Sequence, residues 1–271
     1  MSVFKKFAAL LFVLANSTYS ISIFAQVNIS GWANLDINSN LEKEQSKRKM
    51  TSTMELLNSL KLQDDIKINL YLAAIKNYQD EQKTELQNGY LSVVKKVADF
   101  GETQHAHTLQ LEGRGYLPLN FEAYKNDSFR TRLYLAPIFT LNGNAFGLNN
   151  FKIVLKSALS RNFYQYNESK DGTVNTSQTW ANSSSFNYNF TEKLSASAYF
   201  LHQTARNFNH KRLRDRYEMG QSLAYLFLPQ TSFEIGHIIG GSTYKYNGVD
   251  NNIKFFNKND STVYSSLSFS F

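Results

Sequence analysis

The sequence predicts an all-β fold, a closed antiparallel transmembrane β-barrel of about twelve strands in an up-and-down meander. From Gln26 onward, apolar and polar residues alternate with the period of two that is typical of strands. Beyond the N-terminus, no apolar run reaches the roughly 18 residues that a membrane helix needs. The final stretch, Ser261–Phe271, alternates up to its last residue, with one apolar and one hydroxyl-rich face.

Each predicted strand is an alternating run between polar turns, with ends fixed to within a few residues. An even number of strands places both ends of the chain on the same side of a closed barrel. The twelve strands are Val27–Ile37, Met50–Leu62, Ile66–Tyr78, Gly89–Ala98, His105–Tyr116, Phe129–Leu141, Phe151–Tyr166, Thr176–Phe190, Leu194–Asn207, Arg214–Leu228, Ser232–Tyr246 and Ser261–Phe271.

The last strand resembles that of bacterial outer-membrane β-barrel proteins of the porin-like kind. Phe269 and Phe271 share its apolar face, and the chain ends on an aromatic residue without a polar tail. The resemblance implies that the strand closes the barrel and that Phe269 and Phe271 form a signal for the barrel-assembly machinery. It also implies a location in the cell outer membrane, reached through the periplasm, without identifying a specific family.

The connections alternate in length, which predicts the orientation of the barrel. Residues 63–65, 191–193 and 229–231 form tight turns, whereas the connections near 40–49 and 247–260 are longer and polar. Short connections are typical of the periplasmic side, and long ones of the outside.

The N-terminal segment, residues 1–25, has the pattern of a secretory signal peptide, and residues 26–271 are predicted to form the barrel. Lys5 and Lys6 precede the short apolar core Phe7–Ala15. The chain has no cysteine, which excludes disulfides, zinc–thiolate sites and a lipoprotein anchor. The net charge of +7 comes from basic residues scattered among acidic ones, so nucleic acid is not an expected partner. No spacing predicts a metal site or a cofactor.

Charged residues share the polar face of several strands, which should line the lumen. We interpret the basic ones as a cationic ladder on one wall, since rings of basic side chains select anions in pores. The alternative is that the cations pair with lumen acids and plug the barrel. The cations are Lys61, Lys67, Arg114, Arg130, Arg132, Lys152 and Lys156, and the acids are Asp36, Glu55, Glu112, Glu218 and Glu234.

The resulting functional hypothesis is a channel for passive diffusion of small polar solutes, anionic or sugar-like ones in particular. A weaker resemblance, resting on strand number and charge, is to twelve-stranded porins that pass acidic oligosaccharides. Outer-membrane lipid and lipopolysaccharide are further expected partners. Basic residues between His210 and Arg216 could contact lipopolysaccharide phosphates, or simply form a solvated hairpin tip.

Two other functions are weighed against the channel. One is a structural or adhesive barrel with a plugged lumen. The other is a lipid-active, phospholipase-like enzyme, which would need His and Ser two residues apart with a polar partner. His202 and Thr204 have that spacing, but the sequence shows no Asn or Asp partner, so no catalytic residue is predicted.

One residue conflicts with the pattern. His237 shares the apolar face with Phe233, Ile235 and Ile239, which would direct it at lipid. A register shift in this strand is the only account that the sequence offers.

Overall fold

The computed structural model describes residues 28–41, 49–63, 65–79, 83–101, 106–245, 248–257 and 260–271. The predicted signal peptide, residues 1–25, lies outside them. Within these ranges the chain forms one antiparallel sheet of thirteen strands. They are β1 Asn28–Asn40, β2 Met50–Gln63, β3 Ile66–Asn77, β4 Thr84–Leu86, β5 Tyr90–Phe100, β6 His107–Tyr116, β7 Phe129–Asn142, β8 Phe151–Tyr164, β9 Gln178–Asn189, β10 Leu194–Arg206, β11 Arg212–Leu228, β12 Thr231–Ser242 and β13 Ser261–Ser270.

Twelve of these strands close into a ring, which confirms the predicted barrel. Each long strand pairs with its neighbours in sequence, and β1 pairs with both β2 and β13. Closure gives every long strand a hydrogen-bonded neighbour on both sides, as a hydrocarbon environment requires.

The thirteenth strand, β4, lies outside this ring and was not predicted from the sequence. It pairs only with β3, through Ala74–Lys76. The pairing of β3 with β5 covers only the other half of β3, Ile66–Tyr71. The short strand β4 therefore occupies the part of β3 that β5 leaves unpaired.

The two ends of the barrel differ in their connections. At the turn end lie the start of β1, the end of β13 and the junctions β2–β3, β5–β6, β7–β8, β9–β10 and β11–β12; a 3₁₀ helix, Gly143–Phe146, occupies one of them. At the loop end lie the junctions β1–β2, β3–β5, β6–β7, β8–β9, β10–β11 and β12–β13. The loop between β6 and β7 contains a short helix, α1 (Phe121–Lys125), capped by the Asn120 side chain, which accepts a hydrogen bond from Ala123 N at 2.8 Å.

Side chains sort to two faces, as the alternation predicts. Outward-facing Leu133 and Leu135 are 54% and 52% exposed, whereas inward-facing Glu112 is 5% exposed. An apolar exterior around a polar interior is the arrangement of a barrel in lipid. No helix in the described ranges is both long enough and apolar enough to cross a membrane.

The C-terminus is fixed to the first strand. Phe271 and Gly31 exchange backbone hydrogen bonds of 2.9 and 3.0 Å, and the Phe271 ring lies over Gly31, where a Cβ would collide with it. The Phe269 ring stacks on the Phe271 ring at a centroid distance of 6.3 Å. Barrel closure thus involves both terminal aromatic residues, and their recognition by assembly machinery stays a prediction.

The register shift expected around His237 is wrong. His237 pairs in regular register with Gln221 and Val263 and does point outward. The loop between β12 and β13 folds against the outside of the barrel and places the Phe256 ring on the imidazole, with centroids 5.9 Å apart. The same loop covers Tyr217, whose hydroxyl accepts a hydrogen bond from Lys254 N at 2.8 Å. Tertiary packing, rather than a change of register, screens His237.

Candidate solute pathway

Strands β6–β8 form a basic wall of the lumen, defined here by Arg114, Arg130, Arg132, Lys152 and Lys156. The register fixes the orientation of four of them, whereas Arg130 lies at a β-bulge between Phe129 and Thr131. Arg114 lies opposite Tyr134, and Arg132 opposite Asn162, on the face that also carries Glu112. Lys152 lies near the turn end and the three arginines lie in the loop-end half, so the cations descend the wall as the sequence predicts.

Aromatic rings continue this wall around the interior. The rings of Tyr71 and Tyr90 stack at 4.8 Å with an interplanar angle of 15°. The Arg114 guanidinium lies between two rings, 4.3 Å from the centroid of Tyr90 and 4.7 Å from that of Tyr134. Cation–π contacts of this kind hold a guanidinium without neutralising its charge. This arrangement could not be predicted from the sequence, because it arises from cross-strand register.

Glu112 is the acid of the basic wall. It accepts hydrogen bonds from Arg114 Nε at 2.6 Å and from Lys156 Nζ at 2.7 Å. One carboxylate therefore serves two cations, and the cluster keeps a net positive charge. The predicted pairing of lumen cations with lumen acids occurs here.

Arg130 and Arg132 have neutral partners instead. Arg132 Nε donates to Asn162 Oδ1 at 2.5 Å, and Arg130 donates to Gln165 Oε1. Their guanidinium groups also lie over the rings of Tyr116 and Tyr124, at 5.1 and 4.5 Å. Amide oxygens and ring faces orient these side chains and leave their charges uncompensated.

Two further lumen cations lie in the predicted strand Arg214–Leu228, and not in the basic hairpin tip with which the sequence also grouped them. Arg214 and Arg216 lie within β11, opposite Ala205 and Gln203. Gln203 Oε1 accepts a hydrogen bond from Arg216 Nε at 2.8 Å. Arg216 also interacts electrostatically with Arg214, with the acid Glu218 on the same strand, and with Arg132 of the basic wall. Cations from two sides of the lumen therefore approach one another near the loop end.

Most of the lumen acids meet tyrosine hydroxyls rather than cations. Tyr199 Oη donates to Glu218 at 2.8 Å, Tyr264 donates to Glu234, and Tyr71 donates to Glu55. We refer to the part of this set on β10–β13, the residues Tyr199, Glu218, Glu234 and Tyr264, as the tyrosine–glutamate wall.

The two pairs of this wall share one construction that requires glycine. Tyr199 lies opposite Gly220, and Tyr264 lies opposite Gly236, with the glutamate two residues before each glycine. A Cβ at either glycine would overlap the tyrosine ring. Each ring thus lies flat on the wall over a glycine, and its hydroxyl reaches the neighbouring carboxylate.

The other predicted pore-lining residues lie on the same inward face but away from these clusters. Lys61 of β2 and Lys67 of β3 lie opposite each other in the strand register, near the turn end. Asp36 accepts a hydrogen bond from the Asn34 amide at 2.8 Å, and Asn34 also donates to Glu55 at 3.3 Å. This part of the lumen contains polar contacts between neutral and acidic groups.

His202 has a partner that the sequence did not reveal. On the outward face, His202 Nε2 lies 3.4 Å from Asp215 Oδ1, and the Thr204 hydroxyl donates to the same carboxylate oxygen. The Thr204 proton is therefore directed at Asp215 and not at the imidazole, which is the opposite of a nucleophile activated by a histidine base. Asp215 shares the parity of Tyr217 in the predicted strand Arg214–Leu228, so its outward face could be read from the sequence, but its register with β10 could not.

No family model and no curated protein matches this chain. Solved structures do match it. The NanC porin is 13% identical, with a TM-score of 0.55 and coverage of 87% of this chain and 98% of that chain. The chain has the fold of bacterial outer-membrane porins. The COG4313 outer-membrane channel from Pseudomonas putida F1 is 9% identical, with a TM-score of 0.60 and coverage of 90% and 95%. At these identities, the likeness concerns the fold.

Proposed function

We propose that the barrel lies in the bacterial outer membrane, with its loop end outside, and serves as a channel for passive diffusion of small polar solutes. Anionic and sugar-like solutes are the favoured class. The proposal includes no catalytic step and no cofactor. It is supported by the porin fold, by the outward apolar face and by the charge distribution of the lumen.

The observation that carries the proposal is the different partnering of lumen cations and acids. Arg130, Arg132 and Arg216 donate hydrogen bonds to amide oxygens, whereas Glu218 and Glu234 accept hydrogen bonds from tyrosine hydroxyls. A solute therefore meets guanidinium groups bonded to neutral amides, and carboxylates that already have a tyrosine donor. An acidic sugar has an apolar face, which can stack on a tyrosine ring, and an anionic group, which can bind the neighbouring guanidinium.

The test is the ion selectivity of the refolded chain in a planar bilayer. Under a salt gradient, the wild-type reversal potential should have the sign of an anion-selective pore. Arg132→Gln combined with Arg216→Gln should move it toward zero or reverse it, since both substitutions remove lumen charge while retaining hydrogen-bonding capacity.

The matched control is Lys95→Gln combined with Lys193→Gln. Lys95 faces outward opposite Leu111, and Lys193 lies in a connection at the turn end. This control removes the same charge and should leave the reversal potential unchanged. A cation-selective wild-type pore would contradict the solute preference, and absence of any current would instead favour a structural or adhesive barrel.

A further inference from the structure

A row of arginines crosses the outward face of the barrel at its loop end. Arg161 of β8 pairs with Gln178 of β9, Gln178 pairs with Arg206 of β10, and Arg206 pairs with Arg212 of β11. Adjacent strands lie about 4.8 Å apart, so the row extends over about 14 Å. Its members are far apart in sequence, and only the register brings them together.

A β-bulge places Arg212 in this row. Ala205 pairs with Arg214 and Arg206 pairs with Arg212, so Leu213 is the extra residue on β11. Without the bulge, Arg212 and Arg214 would share one face by strict alternation, and both would point into the lumen. The bulge thus directs Arg214 inward and Arg212 outward.

The row lies immediately above the apolar band of the barrel. One position nearer the middle of the barrel on this face, Leu159 pairs with Trp180, and these side chains are 61% and 58% exposed. Trp180 Nε1 donates to Ser157 Oγ at 3.1 Å. Tryptophan is typical of the membrane–water interface, so the arginines lie at the level of lipid headgroups.

Two arginines of the row contact aromatic rings, and one of these also contacts an acid. Arg161 lies over the Phe208 ring at 5.5 Å and Arg212 over the Tyr244 ring at 5.0 Å. Arg212 also contacts Asp215, whose side chain is 3% exposed, so this carboxylate is covered by its neighbours. With one contacting acid for three guanidinium groups, the row has an excess of positive charge on the side that faces lipid.

We propose that Arg161, Arg206 and Arg212 form a binding site for phosphate groups of an outer-leaflet glycolipid, namely the lipid A part of lipopolysaccharide. Guanidinium groups bind phosphate oxygens in bidentate geometry, and basic side chains at headgroup level attract anionic lipid. The exposed Leu159 and Trp180 below the row provide the surface for the acyl chains. This inference rests on the outer-membrane location in the proposed function, but not on solute passage.

The test is retention of lipid A by the detergent-solubilised full barrel, measured by native mass spectrometry with diphosphoryl lipid A and with its dephosphorylated form. The wild type should retain the diphosphoryl form preferentially. Arg161→Gln, Arg206→Gln and Arg212→Gln together should weaken retention by at least about tenfold, given the contribution of each basic residue near a membrane surface.

The matched control carries the same three changes on the inner face at the same end, in Arg132, Arg214 and Arg216. It should retain lipid A like the wild type and lose anion selectivity, whereas the outward triple variant should keep the wild-type selectivity. A heat-modifiable shift in gel mobility shows that each variant is folded. Unchanged retention in the folded outward variant, or equal retention of the dephosphorylated lipid by the wild type, would overturn the proposal while leaving the channel untouched.

Discussion

The basic wall and the tyrosine–glutamate wall handle charge in opposite ways. On the first, tyrosine presents its ring face to a cation, as Tyr90 does to Arg114 at 4.3 Å. On the second, tyrosine presents its hydroxyl to an acid, as Tyr199 does to Glu218 at 2.8 Å. The same residue type contacts a cation through its ring in one place and donates a hydrogen bond to a carboxylate in the other, where it uses an acceptor position that a solute cation would need. A lumen with similar numbers of acids and cations can therefore still favour anions.

The strongest expected effect concerns Glu112, where the basic wall does use an acid. Glu112→Gln should destabilise the folded barrel by about 2 kcal/mol, because it leaves Arg114 and Lys156 without their shared carboxylate. Urea unfolding in lipid, followed by tryptophan fluorescence, measures this loss. In a double-mutant cycle with Lys156→Gln, the two changes should be non-additive. Additive effects would show that the carboxylate and Lys156 are not coupled.

The next effect tests the glycine beneath a tyrosine ring. Gly220→Ala should cost about 1–2 kcal/mol of unfolding free energy, since the new Cβ would overlap the Tyr199 ring and displace it from Glu218. Gly113→Ala is the control, because no atom lies within 4 Å of a Cβ at that position. The control should change stability by less than about 0.5 kcal/mol. Equal effects at both glycines would contradict the role given to the ring.

A comparison of Tyr→Phe changes sharpens the contrast between the walls. Tyr199→Phe should cost about 1 kcal/mol and move the reversal potential toward cation selectivity, because Glu218 loses its donor. Tyr90→Phe should alter neither property, since its ring contacts Arg114 and phenylalanine retains the ring. If Tyr90→Phe had the larger effect on selectivity, the division between ring and hydroxyl would be wrong.

The smallest expected effect concerns the titration of Asp171, in the loop between β8 and β9. Hydrogen bonds from the Ser169 hydroxyl at 2.5 Å and Thr173 N at 2.9 Å lower the pKa of Asp171 to about 2. Because the pKa of Asp171 in the folded state lies below its ordinary value of about 4, the ionised carboxylate stabilises this turn fully above pH 4. This stabilisation is lost as the pH falls through about 2. The protection factor of the Thr173 amide against exchange should therefore stay constant down to about pH 4 and fall below it.

The low pKa of Asp171 also limits which groups can change the ion selectivity of the lumen with pH. Asp171 stays ionised between pH 3 and 7, so any change in ion selectivity over that range originates in other groups. Asp171→Asn should leave the pH profile of selectivity as it is in the wild type. A profile that changed with this substitution would assign the effect to the loop instead of the lumen.

The local pattern of apolar and polar residues was sufficient to predict the barrel architecture. The alternation around Leu133 and Leu135 placed one face outside, and the polar turns placed the strand ends within a few residues. It also assigned Arg114, Arg132 and Glu112 to one face, because strand geometry makes orientation a matter of odd or even position. The short β4 was missed because three residues carry too little pattern to be recognised.

The sequence by itself determined which side chains face lipid and which face the lumen, because alternation is a local property of extended backbone. Only the tertiary structure decided which of them meet. Cross-strand register put Tyr90 against Arg114 and Asp215 beside His202, and a bulge at Leu213 separated Arg212 from Arg214. A folded-back loop put Phe256 on His237. These contacts join residues that are distant in the chain. The strand pairing that creates them cannot be read from the sequence of any single strand.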